Sequence, residues 1–524
     1  MQLLASLVLL ALLKARSATA AVKEYTLDIV NAPLAPDGFN RVGILANGTF
    51  PGPLLTANKG DTVKVTFNNK LTDESMRVST SIDFDGVLSD TASVYDEGSP
   101  FVTQCPFGPN TSYTYTLPLG DQTGSSWYHS QLSLQYADGL RGVFIIYDPE
   151  DPLKHLYDVD DESTIWTVAD WWHNTSVSGL ISYNLTQIIP VQDSGLFQGV
   201  GRYQGGPEVP YAVQNVQEGT RYRFRLINIS ARSDFIFSID NHTMTVIEVD
   251  GTATQPLEVN ILDIMPGARY SVVVTANQPV GNYWINAISS GGNPANNLLF
   301  NSTLGRGILR YAGAPDAEPT TPMTKGPQGA AANLLQEHEL TPLIPNPPPE
   351  PDFTLTFTTF MPDKETVWLL NDTQYTPPKV PTLIKILDGA NSSADFAQSE
   401  NTFIFPANKT VEINFLPDPT DELHPFHLHG NRFWVIKSNE SDIVNTINPV
   451  IRDVAAKGNG GTILRFTTDK PGPWFFHCHI FWHFWAGLGS VMVSDPDGIR
   501  QQVRPTEAWD ELCPAYNALP PAEQ

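Results

Sequence analysis

Short runs of alternating apolar and polar residues recur along the whole chain: EYTLDIV at 24–30, DTVKVTF at 61–67, RYRFRLI at 221–227 and TVEINF at 410–415. A period of two places successive side chains on opposite faces of a strand. Clusters of Gly, Pro, Asn and Asp separate the runs, as turns require. Few segments carry the 3.6-residue period of a long amphipathic helix. The pattern predicts an all-β protein built of sandwiches or barrels.

The runs also repeat at long range. GDTVKVTFNNK (60–70), EGTRYRFRLIN (218–228) and NKTVEINF (408–415) resemble one another. Each is followed by a strand, a turn and an aromatic strand: SYTYTLPLGDQTGSSWYHSQ (112–131), ARYSVVVTANQPVGNYWINA (268–287) and TILRFTTDKPGPWFFHCH (462–479). One β-fold is therefore expected three times. The third copy carries His-Cys-His, the first His129-Ser130-Gln131, and the middle one Ile285-Asn286-Ala287, with no metal chemistry. Domains are expected at 21–152, 153–312 and 353–524. The Pro-rich stretch 313–352 reads as an extended linker.

Length and charge narrow the function. A chain of 524 residues holds about three domains. A net charge of −25 with only 17% charged residues argues against nucleic-acid and anionic-membrane partners. Residues 1–13 form an apolar run too short to span a bilayer, and Ala18-Thr19-Ala20 follows as a small-residue cleavage site. Residues 1–20 therefore read as a secretory signal, although Lys14 and Arg16 interrupt the pattern. Eleven Asn-X-Ser/Thr sequons agree with a secreted, extracellular glycoprotein.

The chemistry concentrates in PGPWFFHCHIFWHFWAGLG at 471–489. Along a strand His477 and His479 point one way and Cys478 the other, and His483 returns after a turn. Upstream lies HPFHLHG at 424–430, so six of the 11 histidines fall in two segments. A thiolate among imidazoles suits copper rather than calcium or magnesium. The alternative is a pair of aromatic-rich strands with satisfied core histidines. Three cysteines in a secreted chain leave one thiol to explain. If Cys478 holds a metal, Cys105 and Cys513 can pair. Otherwise all three are buried free thiols.

HPFHLHG (424–430), GPWFFHCHIFWH (472–483), WYHSQLSLQYADGLRG (127–142) and the tail AWDELCPAY (508–516) together resemble fungal laccases, three-domain multicopper oxidases. The resemblance covers essentially the whole mature length. It implies three cupredoxin-like Greek-key β-sandwiches, and one-electron oxidation of phenols and aromatic amines coupled to reduction of dioxygen to water. By motif, His424, Cys478 and His483 resemble the ligands of a type 1 copper, with Leu488 at the axial position. His427 resembles a type 2 ligand. His129 and His429 resemble type 3 ligands, and His477 and His479, flanking the cysteine, resemble ligands of two coppers of a trinuclear cluster. Cys105 and Cys513 match a family disulfide; a second one is absent, with Ala137 and Ala231 at its positions.

The departures are concentrated in the first domain. Where the family carries His-Trp-His-Gly, this chain has Asp83-Phe84-Asp85-Gly86, and its second motif ends in Gln131 instead of His. These replacements fall at the type 2 ion (Asp83) and the two type 3 ions (Asp85, Gln131). Two facing carboxylates in a closed site should share a proton, and a mixed His/Asp set could accept zinc or another divalent ion. Solvated turn residues are the plainer expectation. Arg232 stands where the family has a substrate-binding carboxylate, with Asp234 two residues on as a substitute; an ordinary surface arginine is the other reading. Phe481 replaces an acid. Three functions follow: a laccase-type oxidase with altered oxygen reduction, a copper-binding partner or regulatory subunit of an active laccase, and, ranked last, an oxidase of Fe or Mn.

Overall fold

The computed structural model describes residues 20–524 except 322, 325, 327–328, 363–366 and 418–422. The predicted signal therefore lies outside the described residues but for Ala20. The alternating runs do become strands, and the threefold repeat becomes a repeated topology.

In the first unit β1 (Val22–Leu34), β2 (Gly52–Asn58), β3 (Thr62–Asn69), β4 (Ile82–Asp85), β5 (Ser112–Pro118), β6 (Gly124–Ser130) and β7 (Arg141–Tyr147) build two sheets. One contains the order β1-β3-β5, and the other runs β2-β7-β6-β4. The second unit repeats this with β8 (Ile165–Trp171), β9 (Val213–Val216), β10 (Arg221–Asn228), β11 (Phe235–Ile239), β12 (Arg269–Thr275), β13 (Asn282–Ser289) and β14 (Arg306–Tyr311). Its sheets contain β8-β10-β12 and β9-β14-β13-β11. The third unit uses β15 (Phe353–Phe357), β16 (Thr402–Phe405), β17 (Thr410–Phe415), β18 (His424–Leu428), β19 (Thr462–Thr467), β20 (Gly472–Cys478) and β21 (Gly489–Ser494), ordered β15-β17-β19 and β16-β21-β20-β18. In every unit the first pair is parallel and the next antiparallel. Trp127, Trp166 and Trp474, one per unit, are fully buried.

Among the described residues no helix is long and apolar enough to cross a membrane. The segment expected as a linker runs along the second unit: Leu334 and Pro342 bridge to Ile261 and Thr254, and Leu340 is buried. From it Glu337 reaches Arg452 of the third unit at 2.6 Å. Cys105 and Cys513 are bonded, tying the first unit to the C-terminal segment and leaving Cys478 buried and outside the disulfide.

Candidate metal centre

Strand β20 ends on Cys478, and the short helix α1 (Phe481–Trp485) brings His483 back beneath it. β18 pairs with β20 in the register Phe426–Cys478 and His427–His477. This carries His424 to one end of the sheet and His427 and His429 to the other. The first group is compact: Cys478 Sγ lies 3.7 Å from His424 Nδ1 and 3.7 Å from His483 Nδ1, and the two nitrogens are 3.2 Å apart. The centre of that triangle is about 2.0 Å from each atom, which is a metal–ligand bond length. Two imidazoles and a thiolate in a trigonal set match copper, so the residues fit the ion. All three are fully buried. Trp368 packs its ring 4.7 Å from His424 and 4.6 Å from His483. Leu488 closes the turn through its backbone, donating to His483 O at 3.0 Å and accepting from Cys478 N at 3.1 Å.

The second group sits between the first and third units. β4 pairs with β6 in the register Asp83–His129, so Asp83, Asp85 and His129 share a face. Opposite them lie His427, His429, His477 and His479. Asp85 Oδ2 accepts from His479 Nε2 at 2.7 Å, and Asp85 Oδ1 is 3.3 Å from His427 Nε2 and 3.5 Å from His129 Nε2. The Gln131 amide nitrogen is 3.5 Å from His429 Nε2 and 3.3 Å from His477 Nε2. Asp83 and Asp85 are buried, which overturns the expectation of solvated turn residues: both are enclosed by imidazoles of the third unit. Their environments push them apart, as two facing carboxylates should be. Burial raises Asp83 to about 6 against the pull of His429. Burial also works against Asp85, but His427, His479 and His129 outweigh it and hold the carboxylate well below its ordinary range. His429 is raised well above the usual imidazole value because Asp83 and Glu97 overcome its burial.

Several contributors were invisible in the sequence. Glu97 is buried and accepts from His429 Nδ1 at 2.5 Å, Ser99 N at 3.0 Å and Thr103 Oγ1 at 3.0 Å. Asp453 accepts from His427 Nδ1 through its backbone carbonyl at 2.9 Å and, through its carboxylate, takes both Nη atoms of Arg269 at 2.5 and 2.8 Å. Gly267, two residues before Arg269 on the second unit, abuts the His479 ring. An acid flanked by small residues in DEGSP was the one available hint for Glu97; nothing local marks the others. Phe481 fills the position of the expected acid with an apolar ring 5.6 Å from both His129 and His479.

A cavity of about 510 Å³ opens beside the first group, lined by Arg232, Asp234, Met265, Leu423, Pro425 and Ile480. Leu423 and Pro425 flank His424 in the chain. Arg232 is only 8% exposed, so it is not an ordinary surface arginine. Its guanidinium donates to Ile189 O at 3.1 Å, and its amide to Asp170 Oδ2 at 2.7 Å. Burial, then the charge of Arg232, holds His483 well below its usual value. Asp263 is raised to about 7 by burial, then by the charge of Asp234 and a hydrogen bond shared with it.

Comparison with known proteins agrees with this layout. Family models described as multicopper oxidase match residues 29–151, 162–314 and 375–498. Laccase-2 of Agaricus bisporus is 46% identical over 517 residues, covering 97% of both chains. Laccase-4 of Trametes villosa is 42% identical, covering 94% of each. Among solved structures, the laccase from Botrytis aclada superimposes with a TM-score of 0.83 at 30% identity, covering 96% of this chain and 93% of that one. Fet3p, a multicopper oxidase that functions in iron import, gives 0.82 at 29% identity, with 95% of both covered.

Proposed function

Since the chain belongs to the multicopper oxidases and, within them, to the fungal laccases, we propose that it oxidises phenols and aromatic amines one electron at a time at a copper held by His424, Cys478 and His483. The triangle of those three donor atoms is the observation that carries this reading. Copper bound there supplies a one-electron acceptor whose reduced state a donor set of two imidazoles and a thiolate tolerates.

The chain's own residues do the rest. Arg232 and Asp234 line the cavity beside His424. A phenol that loses an electron also loses its hydroxyl proton, which a guanidinium cannot accept. Asp234 takes that proton, and Arg232 holds a carboxylate on the ring, favouring acidic phenols. His477 and His479, covalently adjacent to Cys478, lead inward to the second group.

Oxygen reduction is the step the replacements weaken. Asp83, Asp85 and Gln131 substitute hard or neutral oxygen donors where reduction requires sites that hold both copper oxidation states. The second group therefore does not fit three redox-cycling copper ions. The Cys105–Cys513 bond and the sequons support secretion into an oxidising compartment.

The test is spectroscopic. Copper-loaded protein should show an intense thiolate-to-copper band, bleach when a methoxyphenol is added without oxygen, and recover its colour slowly on aeration. Protein that stays colourless after copper loading refutes the reading. The three replaced donors also favour a second reading, a copper-binding partner of an active laccase. Co-purification with such an enzyme and no turnover alone would select it.

A further inference from the structure

We propose that Asp263 is a positioning residue that shares one proton with Asp234 and relays the phenol's proton out of the substrate cavity into a second, separate cavity. This role rests on the reading that a phenol gives up its proton to Asp234.

Strand pairing brings the two carboxyls together. β11 pairs antiparallel with the short strand Leu262–Ile264 in the register Phe235–Ile264 and Ile236–Asp263. Phe235, Phe237, Leu262 and Ile264 are buried in the core. Asp234, one residue ahead of β11, therefore falls on the other face, diagonal to Asp263. Side chains at that diagonal reach one another across a ladder. A hydrogen bond joins the two carboxyls. An ionised carboxyl only accepts hydrogen bonds, so the pair must carry one proton.

The surroundings decide which partner keeps it. Asp263 Oδ1 is buried with no hydrogen-bond partner among the described residues. Arg452, the cation lining the cavity on its side, is committed to Asp250 at 2.8 Å and to Glu337 at 2.6 Å. Burial without a cation of its own favours the neutral acid. Burial first, then the charge of Asp234, places Asp263 at about 7. Asp234, which lines the substrate cavity together with Arg232, is left as the acceptor.

The cavity that Asp263 lines is a different one, of about 120 Å³, between the second and third units. Met265 and Leu423 belong to the walls of both cavities, so the two lie back to back. Tyr270, Glu337, Glu440 and Arg452 are the other titratable groups on its wall, and Glu440 is exposed. A substrate that fills the first cavity shuts water out of it, and its proton needs another way out. As the phenol's electron leaves to the copper held by His424, Cys478 and His483, its O–H bond breaks and the proton goes to Asp234. Asp263 passes its own proton into the second cavity, toward Glu440 and solvent. The proton on Asp234 then becomes the shared one, and the pair is reset.

The test is anaerobic stopped flow on the copper-loaded full chain, reading how fast the thiolate band bleaches. Two donors are compared: a methoxyphenol, which must lose a proton, and hexacyanoferrate(II), which has none to lose. Asp263→Asn should slow the phenol at least about tenfold. It should leave hexacyanoferrate(II) unchanged, which also shows that the variant is folded. The wild-type phenol rate should step upward near pH 7, where Asp263 releases the shared proton, well below the ~10 of a phenol hydroxyl. D263N should lose that step. Infrared spectra of the copper-free chain should show a protonated carboxyl band that titrates with the same midpoint and is missing in D263N. Glu337 is also raised to about 7 by burial. A step that survives D263N and vanishes in Glu337→Gln would therefore overturn the relay. So would equal slowing of both donors, or no slowing of the phenol. A wild type bleached by hexacyanoferrate(II) but never by the phenol would sink the phenol reading, and this role with it, even with the infrared band in place.

Discussion

Gly267 offers a sharp test of how the second unit shapes the site. It sits at φ +81°, and a methyl there would lie 2.6 Å from His479 Cδ2 and 2.8 Å from Nε2. Carbon contacts normally settle near ~3.5–4.0 Å, so G267A forces the imidazole back by about 1 Å. Trp127 and Phe481 stand with ring centres 5.6 Å from that of His479 and limit its escape. The 2.7 Å bond to Asp85 would stretch past hydrogen-bond range. Losing a charged hydrogen bond costs about 1.5–3 kcal/mol, and alanine in the left-handed region costs a further ~1–2 kcal/mol. Gly48 supplies the control. It sits at φ +70° with nothing within 4 Å of where a methyl would stand, so G48A carries the backbone cost alone. Equilibrium urea unfolding of both variants should show G267A less stable by about 1.5–3 kcal/mol than G48A, the difference left once the shared backbone cost cancels. Equal losses in the two would refute the idea that the His479 ring requires a glycine at 267.

Other outcomes follow from separate features. Burial works against the Glu248 carboxylate, but Arg223 and Arg225 outweigh it and hold it at about 2. Its contribution is therefore complete above the unfolded value near 4.5 and is lost as pH falls toward 2. The gap is worth about 3 kcal/mol, so E248Q should be destabilised by that order at about pH 7, with the difference closing in acid, as read from unfolding curves across pH. Replacing both Cys105 and Cys513 by serine opens a link between positions 408 residues apart. The chain-entropy estimate for such a loop is up to ~6 kcal/mol, measurable as a fall in the urea midpoint of the first unit's transition. R232D should raise kcat/KM for uncharged phenols about tenfold, or about 1.4 kcal/mol, and lower it for benzoate-type phenols, in steady-state assays with the two substrate classes.

The strands were legible because alternation is a local signal, and the repeat because three copies share it. The thiolate group was equally legible: Cys478 and His483 are five residues apart, and His424 heads a motif of its own. The environment of Asp83 and Asp85 was not. Whether two carboxylates on a short strand face water or imidazoles depends on how the third unit docks, and no pattern within IDFD reports that. Glu97 is 332 positions from the His429 it holds, and Arg232 looked like a loop cation until the strand and loop around Asp170 and Ile189 enclosed it.

The middle unit contributes no donor atom to either group. Yet Arg269 fixes the residue whose carbonyl orients His427, and Gly267 leaves just enough room for His479. It works as a keystone rather than a spacer. Grafting in the corresponding unit of a relative would demand matching that arginine and that glycine, however well the strands themselves aligned.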